Sequence, residues 1–422
     1  MVFERKKYLN ELIAGRGNGL VKIITGVRRC GKSFLLFNLW HDWLMSNGVD
    51  ENHIIEIQLD DFRNRKFRQP EALLNHIDSL TKDDGNLYYV ILDEVQLVDE
   101  FVEVVLSLTH MRNVDVYVSG SNSRFLSSDV VTEFRGRGEE IRVWPLSFEE
   151  YFRGMRGDIR KAWFEYYTYG GLPQVALLES EVKKREYLLG MYETTYLRDV
   201  IERNHLRNSE GMSELVRVLA SGVGSPTNPT RIANTFQSAQ GVSIKRSTVK
   251  QYIDFLKDAF LLEEALRYDV KGRKYIGTET KYYFADMGIR AAILNFRQQE
   301  ETHIYENIIY NELRSRGYNV DVGLVEVGGI DSQGKYDRKK LEVDFVVNRL
   351  PTRIYIQSAF RMPSQEKEEQ ERRSLLSIND HFRKIIIVGD DIHRKEDDRG
   401  ILTIGILDFL TDNGLLENEG MV

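Results

Sequence analysis

An eight-residue run of this sequence, GVRRCGKS at 26–33, has the glycine, lysine and hydroxyl spacing of a phosphate-binding loop. It follows the β-branched run LVKIIT and precedes a stretch with helical spacing, which is the strand–loop–helix context that the motif requires. Glycines let the backbone turn its N–H groups toward a phosphate chain, the lysine can reach the β- and γ-phosphates, and the serine hydroxyl can bind Mg²⁺. A glycine-rich turn without a ligand is the alternative.

The run therefore predicts a site for ATP and Mg²⁺. We expect Lys32 to act on the phosphates and Ser33 to bind the metal ion. The residues predicted to hold the nucleotide are Gly26, Val27, Arg28, Arg29, Cys30, Gly31, Lys32, Ser33 and Phe34.

Two acidic residues follow the apolar run NLYYVILD at 86–93. Asp93 closes this predicted strand, so its carboxylate should emerge at the carboxyl edge of the sheet, where ligands bind in parallel sheets. There it can hold Mg²⁺ through water, and Glu94 can polarise an attacking water molecule. A solvated acidic turn is the alternative, but the position after a phosphate-binding loop favours ATP hydrolysis.

Small polar and basic residues follow at two further places. The segment YVSGSNS ends the next predicted strand, and Ser121 or Asn122 there could orient the attacking water. The segment FRGRGEEI places Arg135 and Arg137 before a fifth strand, where an arginine could act as a finger toward the nucleotide of a neighbouring subunit. A plain polar turn and a solvated arginine are the alternatives.

Strands and helical patterns alternate over the first part of the chain, and these elements would position the groups above. Because the strands are apolar on both faces, we expect an α/β fold with a parallel sheet that helices cover on both sides. The predicted strands lie at 20–25, 53–60, 86–93, 114–121 and 140–147.

The pattern changes along the rest of the chain. We predict the sheet-containing core at 1–147, a helical subdomain at 148–207 and a winged-helix domain at 208–295, since three helices there precede a β-hairpin. A second α/β unit is predicted at 296–415, where one helix leads into several strands.

The bulk composition excludes some classes of protein. The 422 residues carry a net charge of -7, so the whole chain is not a polybasic nucleic-acid binder and a nucleic-acid site would be a local patch. The single cysteine excludes an internal disulfide and fits a reducing compartment. No apolar run is long enough to span a membrane, and the charged N-terminus lacks the apolar core of a signal peptide. We expect a cytoplasmic protein without a membrane partner.

One region reverses the overall charge. Residues 241–275 contain eight Lys and Arg against five Asp and Glu. Such a local excess fits contact with DNA phosphates at the start of a recognition helix and in a wing, although a winged helix used for protein packing is the alternative. The candidate DNA contacts are Lys245, Arg246, Lys250, Lys271, Arg273 and Lys274.

Over nearly its whole length the chain resembles a prokaryotic family of AAA+-superfamily ATPases. The resemblance is carried by ITGVRRCGKS, VILDEVQ, YGGLPQVAL, YLRDVIERN, KYYFADMGI, YENIIYNELRSRG and LEVDFVV. It implies a P-loop NTPase core of AAA type with a helical lid, followed by a winged helix and a restriction-endonuclease-like α/β domain. It also implies that Arg137 is a finger acting in trans, and that Pro173 of the GGLP turn packs near the adenine.

The C-terminal strands contain part of a nuclease motif. Restriction-type nucleases combine a helix Glu, a strand Asp and a Glu-x-Lys on the next strand, where the acids bind Mg²⁺ and the lysine steadies the attacking water. Glu306, Asp344 and Gln357 fit this topology, but Gln357 brings no charge and Ala359 stands where the lysine is needed. We therefore predict a degenerate nuclease-like domain that does not cut DNA and could bind DNA or a protein.

Together these patterns predict an Mg²⁺-dependent ATPase, assembled as a homo-oligomer, that is coupled to duplex or branched DNA through the winged helix and the C-terminal domain. A nucleotide-gated switch with a protein partner and an ATP-dependent nuclease are the alternatives. DNA-stimulated turnover, retained nucleotide and metal-dependent cutting would distinguish these three.

Overall fold

The computed structural model describes residues 2–120, 134, 136–206, 209–240, 244–297, 300–330 and 336–417. It divides into two compact units. The first unit consists of Met1–Leu146, Leu172–Leu177 and Leu256–Leu261. The second unit consists of Ser147–Gly171, Leu178–Phe255 and Leu262–Val422. In the part of the chain described, no helix combines the length and the apolar character needed to cross a membrane.

The first unit is built on a five-stranded sheet in the order β2-β3-β4-β1-β5. All four pairings are parallel, which confirms the predicted parallel sheet. Every residue of β1 and β3 is buried, as expected for strands that are covered on both faces. The strands are β1 (Val21–Thr25), β2 (Ile54–Gln58), β3 (Tyr88–Asp93), β4 (Val114–Ser119) and β5 (Gly138–Arg142).

Helices flank the strands of the first sheet. The helix after the phosphate-binding loop is continuous from residue 32 to 46, and its middle part is a π-helix. The helices of the first unit are Lys6–Gly15, the three consecutive segments Lys32–Phe34, Leu35–Trp40 and His41–Ser46, then Pro70–Leu80, Phe101–Leu108 and Pro173–Ala176, with 3₁₀ turns at Glu51–His53, Phe62–Arg68 and Val95–Leu97.

Helices predominate from residue 148 to 258. The first of them begins with a capping box, in which the Ser147 hydroxyl accepts from the Glu150 N–H and the Glu150 carboxylate accepts from the Ser147 N–H. The helices are Phe148–Met155, Ile159–Tyr169, the consecutive segments Glu181–Met191, Tyr192–Leu197 and Arg198–Arg203, then Ser209–Ser221, Pro229–Gln240 and Arg246–Asp258.

The second unit is built on an eight-stranded mixed sheet in the order β12-β13-β11-β10-β9-β8-β6-β7. The strands are β6 (Leu262–Asp269), β7 (Lys274–Phe284), β8 (Asn319–Ile330), β9 (Tyr336–Arg349), β10 (Thr352–Ala359), β11 (Arg383–Val388), β12 (Lys395–Glu396) and β13 (Ile401–Gly405). The remaining helices are Met287–Ile293, Glu301–Ser315, Gln365–Leu376 and Ile406–Thr411.

The hairpin of the predicted winged helix belongs to this second sheet. Strands β6 and β7 pair antiparallel, and β6 also pairs in parallel with β8. The hairpin and the strands of the predicted nuclease-like domain therefore share one sheet. The winged-helix and nuclease-like assignments, with their boundaries, stay predictions.

Candidate functional site

The phosphate-binding loop has the backbone geometry that its sequence predicts. Gly26 and Gly31 adopt φ angles of +135° and +102°, a region that side chains rarely tolerate. A Cβ atom on Gly26 would lie 2.0 Å from the Val143 carbonyl oxygen. Only glycine fits there, because β5 ends at Arg142 and the chain continues directly against the loop.

The other side chains of the loop are divided between core and surface. Val27 and Cys30 are buried, and the Cys30 thiol lies 3.3 Å from the Val143 carbonyl oxygen. Arg29 is exposed and adopts a positive φ of 65°. Phe34 is exposed as well. Cys30 thus acts as packing beneath the loop, and the polar face is left to the backbone, Lys32 and Ser33.

The ammonium group of Lys32 lies across the loop. The side chain is buried, and its Nζ donates to the carbonyl oxygens of Gly26 at 2.9 Å and Val27 at 3.1 Å. Both partners are neutral and belong to the loop that would surround a phosphate chain. A phosphate oxygen, which carries negative charge, would be the stronger partner for the same ammonium group.

Three polar side chains meet where β3 and β4 end and the loop helix begins. The carboxylate of Asp93 accepts a hydrogen bond from the Ser119 hydroxyl, and the Ser33 hydroxyl lies near enough to lower the pKa of Asp93. Burial raises the pKa of Asp93, while these two hydroxyls and Lys32 oppose the rise. The structure therefore places the predicted metal-binding pair, Ser33 and Asp93, near each other. Oxygen ligands of this kind suit Mg²⁺.

Ser119 is a residue of this site that the sequence reasoning missed. Its hydroxyl also accepts from the Glu94 N–H at 3.3 Å. The available signal was its position as the last residue of a buried strand, since the carboxyl ends of parallel strands meet at one edge of a sheet.

Glu94 has an unusual backbone conformation. Its φ and ψ of 53° and 44° are left-handed, which is uncommon for a residue with a side chain and is found often at functional sites. Its carboxylate accepts a hydrogen bond from the Gln96 amide. After this turn the two neighbouring acids differ in exposure: Asp93 is buried against Ser119, and Glu94 is partly exposed.

Arg137 lies at the amino ends of β1 and β5, whereas the phosphate-binding loop lies at the carboxyl end of β1. It precedes Gly138, which pairs with Val21 at the start of β1, whereas the loop begins after Thr25. Four residues of a strand span about 13 Å. The guanidinium is exposed and meets Nε2 of His110 at 3.1 Å. Arg137 therefore lies apart from the loop of its own chain. Ser121, Asn122 and Arg135 lie outside the described residues.

Pro173 lies beside the loop. A Cβ atom on Gly31 would come within 3.7 Å of Pro173 Cγ. Pro173 begins the short helix Pro173–Ala176, a position that suits proline.

The turn just before this helix is anchored by a buried carboxylate that the sequence reasoning did not single out. Asp286 accepts from the backbone N–H of Gly171 at 2.6 Å and of Ile289 at 3.0 Å. A Cβ atom on Gly170 would lie 2.2 Å from one oxygen of this carboxylate. Burial raises the pKa of Asp286 to about 6, although the N–H groups of Gly171, Ile289 and Gly288 oppose the rise.

The six basic candidates for DNA contact are all exposed. Arg246 is the first residue of the helix Arg246–Asp258, and it lines an open hollow of about 520 Å³ together with Arg231 and Gly277 of β7. Lys245 and Lys250 lie just before and within the same helix, and Lys271, Arg273 and Lys274 lie in the turn between β6 and β7 and at the start of β7. The Lys271 ammonium donates to the Glu326 carbonyl oxygen at 2.7 Å.

A cluster of charged side chains is buried in the second unit. The Lys281 ammonium of β7 lies 2.8 Å from Glu306 Oε1, 2.8 Å from Glu342 Oε1 and 3.9 Å from Asp344 Oδ1. The structure thus places Glu306 and Asp344, two residues of the predicted degenerate nuclease site, around the Lys281 ammonium. Burial alone would lower the pKa of Lys281, but the three carboxylates raise it above its usual value. Burial raises the pKa of Asp344, with Glu306 adding to the rise and Lys281 opposing it.

Gln357 makes its contacts elsewhere. Its amide donates to Glu371 Oε2 at 3.2 Å and accepts from the Ser374 hydroxyl at 3.3 Å, both on the helix Gln365–Leu376. Ala359, at the lysine position of the nuclease motif, is buried in an apolar cluster that includes Leu375. The end of β10 therefore brings no charged group to the carboxylates.

Comparisons with known proteins agree with this picture. A family model described as AAA domain matches residues 18–152, and a domain of unknown function matches residues 160–300. An uncharacterized protein of Haemophilus influenzae is 31% identical over 97% of this chain and 98% of its own length. An uncharacterized protein of Methanocaldococcus jannaschii is 27% identical over 85% of this chain and 79% of its own length.

Two solved structures show a weaker likeness. The Aeropyrum pernix ORC1 protein in complex with DNA is 13% identical, with a TM-score of 0.29 over 70% of this chain and 93% of that one. Cdc6p from Pyrobaculum aerophilum is 12% identical, with a TM-score of 0.31 over 72% and 94%. Both TM-scores are low, so no property of this chain is inferred from either structure. The AAA domain and the full-length relative suffice: the chain belongs to a prokaryotic family of AAA+ ATPases that it shares with the Haemophilus influenzae protein.

Proposed function

We propose that this chain binds ATP with Mg²⁺ and hydrolyses it. The observation that carries the proposal is the position of the Ser33 hydroxyl near the buried Asp93 carboxylate, beside a loop whose lysine ammonium donates to the Gly26 and Val27 carbonyl oxygens. Ser33 and Asp93 would hold Mg²⁺, which neutralises charge on the phosphates when it is bound. Lys32 and the loop N–H groups would hold the phosphates themselves.

The remaining groups at this edge of the sheet have separate roles in the proposal. Glu94 takes a proton from the attacking water, because its carboxylate is partly accessible and stands directly beyond Asp93. Ser119 keeps the two acids in place through its hydroxyl. Pro173 contributes to the nucleotide pocket beside Gly31. Asn122 as an orienting residue for water stays a prediction.

The proposal includes a homo-oligomer. Arg137 is exposed at the amino end of β5, away from the loop that follows β1. It can therefore contact a nucleotide only if that nucleotide is bound to another subunit. An arginine supplied in trans stabilises the charge that develops on the transferred phosphate. The exposed guanidinium would then be part of a subunit interface.

The proposal also couples the ATPase to DNA. The helix Arg246–Asp258 and the turn between β6 and β7 present exposed basic side chains in a region of positive net charge, in a chain whose net charge is -7. Phosphate contacts of this kind bind DNA without reading its sequence. Cutting is not part of the proposed activity, because Gln357 and Ala359 bring no charge to the buried carboxylates.

ATP turnover measured alone and with duplex, branched and single-stranded DNA tests the proposal. We expect turnover that depends on Mg²⁺, that rises with duplex or branched DNA and that is lost in Lys32→Ala, since the Lys32 ammonium lies across the loop and is the group assigned to the phosphates. Turnover that persists in Lys32→Ala would contradict the assigned site. Turnover indifferent to every DNA, with nucleotide retained on purification, would favour a switch that acts on a protein partner.

A further inference from the structure

The buried charge cluster in the second unit has a cation at its centre. The Lys281 side chain is 3% exposed, and its ammonium lies within 2.8 Å of two carboxylates and 3.9 Å of a third. An ammonium group has three N–H donors and no acceptor. Its charge is opposite to that of the three acids that surround it, and its three donors equal them in number; these acids are Glu306, Glu342 and Asp344.

The carboxylates are also bonded to other donors. The Tyr283 hydroxyl donates to Glu306 Oε1 at 2.7 Å. The Arg267 guanidinium donates to Glu342 Oε2 at 3.2 Å. The Ser358 N–H donates to Asp344 Oδ2 at 2.8 Å. Each acid thus has a partner besides Lys281, and such a network is stable when its members are satisfied.

A loop closes the cluster next to Glu306. Gly224 has a φ of +70°, and a Cβ atom there would lie 3.3 Å from both oxygens of the Glu306 carboxylate. The loop is fixed to β7, because the Gly224 N–H donates to the Tyr282 carbonyl oxygen and Thr227 pairs with Thr280 through two bonds of 2.9 Å. Little room is left there for a hydrated ion.

Two of the elements that form the cluster, the helix Glu301–Ser315 and β7, are also joined independently of it. The side-chain amide of Asn307, next to Glu306, accepts from the Phe284 N–H and donates to the Phe284 carbonyl oxygen, each at 2.8 Å. Lys281 lies three residues before Phe284 in β7. The helix Glu301–Ser315 is thus tied to β7 at the level where the acid and the lysine meet.

Three neighbouring carboxylates, of which Glu306 and Asp344 are buried and Glu342 is partly exposed, are the kind of ligand that a divalent cation binds. The Lys281 ammonium already lies 2.8 Å from one oxygen of Glu306 and one oxygen of Glu342, so a divalent cation could not occupy the same position between these two carboxylates. We propose that the Lys281 ammonium permanently takes the place of a divalent metal ion among Glu306, Glu342 and Asp344. The second unit then keeps the carboxylates of a metal-dependent nuclease as a structural ion-pair network that needs no metal. This proposal does not depend on ATP hydrolysis.

Mn²⁺ binding to the full-length, nucleotide-free chain tests the proposal. All proteins carry Asp93→Asn, so that the loop site contributes no Mn²⁺ signal. We expect no Mn²⁺ bound with Lys281 present, and one Mn²⁺ per chain in Lys281→Ala, where the ammonium is gone and space is opened. Lys281→Met is the matched control, because it removes the charge and keeps most of the volume. Adding Asp344→Asn to Lys281→Ala should abolish the gained binding.

Two results would overturn the proposal. One is Mn²⁺ binding with Lys281 present that disappears in Asp344→Asn. The other is a folded Lys281→Ala chain that gains no Mn²⁺. If Lys281→Ala folds only when Mn²⁺ is added, as followed by circular dichroism, the proposal is supported. If Lys281→Ala folds neither with nor without Mn²⁺, the Mn²⁺ titration of the chain that keeps Lys281 is decisive. Mn²⁺ binding that depends on Asp344 would then overturn the proposal, and the absence of such binding would support it.

Discussion

The Ser119 hydroxyl at the end of β4 donates to the carboxylate of Asp93 at the end of β3, and the same hydroxyl accepts from the Glu94 N–H. Strand β4 lies between β3 and the loop-bearing strand β1. Ser119 therefore fixes both the proposed metal-binding residue Asp93 and the proposed catalytic residue Glu94 to β4, the strand next to β1.

Ser119→Ala should lower ATP turnover and shift its acid limb to higher pH. The Ser119 hydroxyl opposes the burial that raises the pKa of Asp93, so without it this pKa rises further and Asp93 is protonated at a higher pH. Loss of one buried hydrogen bond costs about 1–3 kcal/mol. The measurement is turnover against pH, with the exposed Ser79→Ala as the control. An acid limb that stays in place would contradict this role of Ser119.

Arg137→Ala should reduce turnover and leave nucleotide affinity unchanged, because the arginine serves the site of another subunit. Mixing Arg137→Ala with Lys32→Ala should restore part of the activity. The Lys32→Ala subunits supply the arginine, and the Arg137→Ala subunits supply an intact loop. Fluorescent-nucleotide binding and turnover of the mixture are the measurements. No recovery in mixed oligomers, verified by their mass, would argue against a shared site.

Asp286→Asn should change how stability depends on pH. The folded-state pKa of Asp286, about 6, lies above its ordinary value of 3.8. Its protonated form therefore favours folding, and this contribution is largest below pH 3.8 and is lost as the pH rises through 6. Relative to Asp286→Asn, the original chain should lose about 1 kcal/mol of unfolding free energy between pH 5 and pH 7.

Denaturant unfolding of both proteins at these two pH values measures the change. Gly171 and Ile289 donate to different oxygens of Asp286, so asparagine, which has one acceptor oxygen, keeps one of these two bonds at both pH values. The change of the stability difference with pH, and not its size at one pH, therefore reports the titration of Asp286. An equal difference between the two proteins at pH 5 and pH 7 would show that Asp286 titrates normally.

DNA binding should weaken with salt and with loss of the basic patch. Contacts to phosphates release counterions, so the triple change Lys245→Glu, Arg246→Glu and Lys250→Glu should reduce the slope of log affinity against log salt by roughly 3. A triple reversal at three exposed basic residues elsewhere, Arg65, Lys82 and Lys183, has the same charge change and serves as the control. Equal effects of the two triple variants would mean that general charge, and not this helix start, governs binding.

The parallel sheet of the first unit could be predicted because its strands are apolar on both faces and alternate with helices. The limits of β5 could not. The apolar run through Trp144 predicts a strand at 140–147, but pairing with β1 begins at Gly138 and ends at Arg142. Val143 and Leu146 are buried as the chain leaves the sheet, so hydrophobicity marks burial there and not strand pairing.

The nucleotide site was predictable to a large extent because its motifs are local in sequence. The cluster around Lys281 was not. Its nearest acid, Glu306, is 25 residues away in sequence, and a lysine within a strand ordinarily indicates a solvent-exposed edge. Only the order of strands in the second sheet brings β7 to the helix that carries Glu306. The same limit applies to Gln357, whose spacing fits a nuclease motif while its amide bonds to Glu371 and Ser374.

The most direct test of the central claim compares ATP affinity and ATP turnover in the original chain and in Glu94→Gln. Glutamine keeps the size of the side chain and its hydrogen-bonding capacity but cannot take a proton from water. If Glu94 activates the attacking water, we expect nucleotide affinity within about twofold of the original chain and turnover lowered by about 10²-fold or more. Near-normal turnover in Glu94→Gln, with Mg²⁺ and ATP saturating, would contradict the assignment of water activation to Glu94.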